Sequence, residues 1–175
     1  MRAILFAAFA MLAACAPREQ ASCEVRFDRE IAFTAPDAAD VVTVLALGPS
    51  CEQLTGVFTL SDAGGDPLWA WAAPMRPAFG DAFAGADREA VRAFLERWSQ
   101  PTIARTSESP PWPLTDNLVT TLDQATYEDI RARDLPMLCH FSGTGRQACV
   151  FWEPAAAGAG HYFDRDAPEA GSTTP

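Results

Sequence analysis

Two apolar runs flank a glycine-rich turn in LPMLCHFSGTGRQACVFWEP, residues 135–154. This stretch constrains the fold most, because it sets a strand pairing and a covalent link together. A three-residue hairpin loop wants glycine at its left-handed position, and Gly143-Thr144-Gly145 supplies one at Gly145. With the turn centred on Thr144, facing residues have numbers that sum to 288, and Cys139 and Cys149 meet that condition. Facing Cα atoms in an antiparallel ladder lie about 4.5–5.5 Å apart, a separation a disulfide can bridge. The spacing therefore predicts a C-terminal hairpin closed by Cys139–Cys149.

The N-terminal half has strand periodicity. In EVRFDREIAF (24–33), Val25, Phe27, Ile31 and Phe33 alternate, with Arg29 the exception. VVTVLAL (41–47) is β-branched and apolar and reads as a central strand, stopped by Gly48-Pro49. LTGVFTL (54–60) and LWAWAA (68–73) flank the loop SDAGGDP, so residues 24–73 read as an antiparallel meander. The period then changes. Val91, Phe94, Leu95 and Trp98 recur at helical spacing, which predicts an amphipathic helix over 87–99 capped by Asp87. Residues 100–118 read as an irregular Pro-rich crossing, and 125–134 as a shorter helix capped by Thr126. The fold class expected is α+β: a mostly antiparallel sheet, formed by the meander and the hairpin, with one or two packed helices and two disulfides.

The start of the chain has a separate logic. Arg2 precedes twelve uncharged residues, Ala3–Ala14. That run is too short to span a bilayer core, which takes about 20 helical residues, but it suits the apolar region of a secretory signal. Leu12-Ala13-Ala14-Cys15 resembles the lipobox of bacterial lipoproteins: an aliphatic residue, two small residues and a cysteine. The resemblance implies cleavage after residue 14 and a diacylglycerol thioether on Cys15, usually with a third acyl chain on the new amine. Two or three acyl chains anchor durably where one does not. Ala16 in the sorting position favours the periplasmic face of the outer membrane over the inner membrane. The organisation expected is a cleaved signal at 1–14, an acylated tether at 15–22, one globular domain at 23–166 and a polar tail at 167–175. With Cys15 as acyl acceptor, four cysteines remain in an exported chain, an even set that reads as disulfides. Cys139–Cys149 then leaves Cys23–Cys51.

Charge excludes some partners. The chain carries −10 formally, and without Arg2 the remaining 12 basic and 23 acidic residues give −11. Such a surface repels phosphate, so nucleic acid is not an expected partner. All 13 basic residues are arginine, which reads as a GC-rich genome.

No catalytic set assembles from the sequence. Cys139, His140, Cys149 and His161 could nominally form a Cys₂His₂ metal site. Neighbouring strand residues point to opposite faces, however, and the disulfide uses the thiols, so no metal or cofactor is expected. Ser142 lies near His140 without a nucleophile-elbow motif and reads as a turn residue. Asp164 and Asp166 read as a solvated end. Trp69 and Trp71 share one strand face, and Trp112 sits in PPWP; if exposed, the three would suit stacking on a glycan or a protein partner. The function expected is a non-enzymatic binding or structural module held to the envelope, with the bilayer and an envelope protein or glycan as partners. The rivals are a periplasmic hydrolase using His140 or His161 with a carboxylate, and a lysozyme-inhibitor-like lipoprotein, to which the layout is broadly similar without a shared motif.

Overall fold

Nine strands and three helices follow one another in a computed structural model that describes residues 22–167. Cys15, the signal at 1–14, most of the tether and the tail beyond Ala167 lie outside the described residues. The meander forms as the alternation predicts. β1 (Cys23–Ile31), β2 (Asp40–Ser50), β3 (Gln53–Ser61) and β4 (Pro67–Pro74) pair antiparallel in sequence order. β2 is central, and Val42, Val44 and Ala46 on its inner face are fully buried. Arg29 breaks the alternation without breaking the sheet. Its guanidinium lies 5.5 Å above the Phe27 ring, and its Nε donates to Ser99 Oγ at 3.1 Å. The β1–β2 connection is tied down by Asp40, which is almost fully buried. Its carboxylate accepts from the Phe33 and Thr34 amides at 3.0 and 2.7 Å and from the Thr34 hydroxyl.

Helix α1 (Met75–Phe79) follows β4 at once, and α2 (Arg88–Trp98) carries the predicted amphipathic face. Asp87 caps α2 by accepting from the Ala90 amide at 2.8 Å, which satisfies one of the helix's unpaired first-turn donors. Val91, Leu95 and Trp98 are buried against the first sheet, and Glu89 and Arg97 sit on the exposed side.

The second sheet has five strands in the order β5-β7-β8-β9-β6. β7 (Pro136–Gly143) and β8 (Arg146–Glu153) are the predicted hairpin. Cys139 faces Cys149 as the spacing requires, and the two are bonded. Cys23–Cys51 is the other disulfide. The loop is shorter than expected. A bulge between Phe141 and Gly143 leaves Thr144-Gly145 as the turn, with Gly145 at φ +66° as its chemistry demands.

Several further elements depart from the sequence reading. The Pro-rich crossing contains two short edge strands, β5 (Thr102–Arg105) and β6 (Leu118–Val119). Helix α3 (Gln124–Ala132) is capped by Asp123, whose carboxylate accepts from the Thr126 amide, so Thr126 donates to the cap and does not form it. The segment holding Asp164 and Asp166 is strand β9 (Gly158–Asp166), with Tyr162 and Phe163 buried.

The second sheet is buried on both faces. Leu138 and Val150 join the first sheet, α1 and α2 in one core. On the other face Met137, Cys139, Cys149, Phe151 and Phe163 pack with Tyr127 and Ile130 of α3 and with Leu118 of the crossing. Hydrogen bonds pin this cover: the Tyr127 hydroxyl donates to the Pro110 carbonyl and the Tyr162 hydroxyl to the Tyr127 carbonyl. A strand with apolar residues on both sides loses the alternation that makes a half-buried strand legible.

Candidate functional site

Where the two sheets meet, β3, β4, β7 and β9 bring together Phe58, Trp69, Trp71, His140 and His161. Alternation dictates the grouping. Phe58 faces Trp71 across the β3–β4 ladder, and Leu60 faces Trp69, so both indoles lie on the inner side. On β7, His140 takes the face opposite Cys139 and therefore meets the first sheet. Its ring stacks on Phe58 at a centroid distance of 4.2 Å and meets Trp71 edge-on at 6.0 Å.

His140 is 1% exposed, and both of its nitrogens are bonded. Trp69 Nε1–H donates to Nε2 at 3.1 Å, and an indole N–H can only donate. Nε2 is thus the unprotonated nitrogen, and Nδ1–H donates to the Phe141 carbonyl at 3.0 Å. Burial in this apolar setting pushes the imidazole down to about 4, against a partial pull upward from the Phe141 carbonyl and Asp164. It is a neutral ring at neutral pH. Taking a proton from a substrate would require breaking the Trp69 bond first. His161 lies nearer solvent, with Nε2 3.4 Å from Asp164 Oδ2 and its ring stacked on Trp69 at 6.4 Å. Among the described residues neither histidine is hydrogen-bonded to a serine, threonine or cysteine.

The expected tryptophan surface is divided. Trp69 and Trp71 are half-buried in the inter-sheet core, where Trp71 makes edge contacts with Phe79 and Trp98. Trp112 packs on Tyr127, beyond the other face of the second sheet. Ser142 sits in the β7 bulge. The Cys139 and Cys149 sulfurs are joined to each other on the face away from His140, so the nominal Cys/His ligand set does not converge.

Two clefts open elsewhere. An apolar groove of about 410 Å³ runs between α1, α2 and the β7–β8 turn, lined by Phe79, Phe94, Arg97, Trp98 and Phe141. Its end is fixed where the Thr144 amide donates to the Ala78 carbonyl at 2.8 Å. A more polar cleft of about 480 Å³ lies on the far face of the second sheet, between β5 and the β9–β6 edge. Thr102, Ser109, Asn117, Met137, Phe163 and Arg165 are among its walls. The sequence offered no motif for either cleft, since each is built by residues far apart in the chain. No protein-family model matches the chain, and no curated protein or solved structure matches it.

Proposed function

We propose that this chain is a lipid-anchored cell-envelope protein whose folded domain binds a partner without catalysing a reaction. The address rests on Leu12-Ala13-Ala14-Cys15 behind a signal-like leader, and two disulfides are in keeping with an oxidising compartment. Among the described residues no helix is long and apolar enough to cross a membrane; on this reading acylated Cys15 supplies the attachment. Ala16 favours the periplasmic face of the outer membrane.

The observation that carries the non-catalytic reading is the state of His140. A general base needs a nitrogen free to reach substrate and a proton affinity near the working pH. His140 has neither: Trp69 and Phe141 occupy both nitrogens, and burial holds the ring neutral. Both clefts, by contrast, are large enough for ligands, whose sites commonly measure about 300–1,000 Å³. The hydrolase alternative keeps one observation, the half-exposed His161–Asp164 pair.

Two measurements test this reading. Intact mass of membrane-extracted protein, taken unreduced after thiol alkylation, is expected to show a chain beginning at acylated Cys15 with no alkylated thiol. An unmodified Cys15 would remove the anchor. A strain lacking the protein is expected to regain its wild-type envelope properties with His140→Phe or His161→Gln. A variant of either kind that folds and inserts yet fails to complement would overturn the non-catalytic role.

A further inference from the structure

Arg165 stands out in an acidic chain. It lies on β9 facing Gln147 across the ladder, on the same side of the sheet as Cys149 and Phe163. Its Nε donates to Gln147 Oε1 at 3.0 Å, and Gln147 is itself 3% exposed. A buried amide thus holds the near side of the guanidinium and aims its far side. The two Nη groups have no carboxylate or other hydrogen-bond partner among the described residues, and Arg165 lines the polar cleft. Burial pulls the Arg165 pKa down. The other arginines in close ion pairs behave differently: Arg26, Arg105, Arg133 and Arg146 all reach carboxylates.

A partly desolvated guanidinium without an anion carries a penalty that a bound anion would relieve. The fork geometry of arginine matches a carboxylate through two parallel hydrogen bonds. The rest of the cleft suits an apolar body. Met137, Phe163 and Leu118 line it, with Thr102 offering a hydroxyl; the Ser109 hydroxyl already donates to Met137 Sδ at 3.6 Å. Two acids share the walls. Asp166 points to the opposite side of β9 and is held by Arg146 at 2.8 Å. Glu108, in the turn that follows β5, lines the cleft as well. A carboxylate at Arg165 would therefore meet one acid of the cleft, Asp166, already paired.

We infer that this cleft is a binding site for a small organic carboxylate with an apolar body, its carboxylate paired with Arg165 and its body on Met137 and Phe163. The inference names a ligand class for the binding module proposed above and rests on that reading.

The probe is phenylacetate, with phenethylamine and 2-phenylethanol as controls of the same body and a different head. The full-length protein in a mild non-ionic detergent is titrated by calorimetry with each. Phenylacetate is expected to bind, and the amine and the alcohol to bind at least tenfold more weakly. Arg165→Gln is expected to weaken phenylacetate at least tenfold. Thr102→Trp is the second variant: it fills the cleft from an exposed edge-strand position that tolerates a large side chain, and it leaves Arg165 in place. It too is expected to remove binding. No phenylacetate binding by the wild-type chain, equal binding of all three probes, or unchanged binding in either folded variant would overturn the site. Binding seen only in a chain ending at Ala167 would also overturn it, since the cleft would then belong to the protein's own C-terminal segment. None of these outcomes alters the mass of the anchored chain or the complementation by His140→Phe, so failure of the site is distinct from failure of the module.

Discussion

Lowering the pH through the histidine range adds a proton to His140 in the unfolded chain and not in the folded one. The unfolded ring titrates near 6.5 and the folded ring near 4. Between those values the unfolded state binds more protons, so stability falls as pH falls. The His140 contribution is complete above the unfolded value and gone below the folded one. Each unit of separation corresponds to about 1.4 kcal/mol, so the window removes about 3 kcal/mol, a large share of a typical domain's stability. The structural cause is specific. A proton on Nε2 would face the Trp69 N–H, setting donor against donor inside an apolar contact. The aspartates held by hydrogen bonds act in a lower window, and Glu153, lowered from 4.5 by its hydrogen bond from Arg133, overlaps only the acid end of the histidine range. Asp28, Asp123 and Asp134 are pulled below 3.8 in the fold by hydrogen-bonding partners, so their contribution is lost only beneath that value. The assay is urea unfolding at stepped pH, read by tryptophan fluorescence. His140→Phe is expected to lose about 1–3 kcal/mol at neutral pH, because the Trp69 N–H is left without an acceptor. It is also expected to hold nearly constant stability through the histidine window. Parallel slopes for wild type and His140→Phe would refute the assignment of the acid sensitivity to this ring.

Three further outcomes are expected from the same unfolding assay. Removing Cys139–Cys149, a separation of 10 residues, should lower stability by about 3 kcal/mol, and removing Cys23–Cys51, with a separation of 28, by slightly more, about 3.5 kcal/mol, on chain-entropy grounds. Unchanged midpoints in reductant would count against both links. Asp40→Ala strips the acceptor from the Phe33 and Thr34 amides at a nearly fully buried position and should lose about 3 kcal/mol, with Asp40→Asn recovering part of it. Asp87→Ala removes the α2 cap and should lose about 1 kcal/mol without changing the denaturant slope.

The elements legible in the sequence are those in which one local rule decides the outcome. The meander shows because each of its strands hides one face and wets the other, as β2 does with Val42, Val44 and Ala46 inside. Helix α2 shows because its apolar stripe and its Asp87 cap agree. The Cys139–Cys149 link shows because counting outward from a turn needs no tertiary knowledge; the bulge between Phe141 and Gly143 offsets the shorter turn and returns the pairing to the counted register.

The second sheet and the clefts obey no single local rule. β9 is hidden by its glycines and acids, yet each has a tertiary reason. A Cβ on Gly160 would sit 2.9 Å from the Phe151 ring, so a strand residue that must lie under that ring is glycine. Asp164 is the neighbour of His161, and Asp166 is the partner of Arg146. β5 is four residues in a Pro-rich run, recognisable only by its pairing with β7. The same reasoning explains why the tryptophans were easier to find than to interpret. Two on one face of β4 announce a large apolar surface, but whether solvent or a second sheet meets it depends on where β7 and β9 pack, far along the chain. Arg165 is the converse case. One arginine among 13 has no sequence mark. It becomes a candidate only when Gln147 is found holding one side of its guanidinium and the residue is found lining the cleft. The scaffold that accomplishes this is the doubly buried sheet. Its near face is locked to the meander through His140 and its far face is stapled by Cys139–Cys149. A charge on β9 can therefore be held half-desolvated at the edge of a rigid floor.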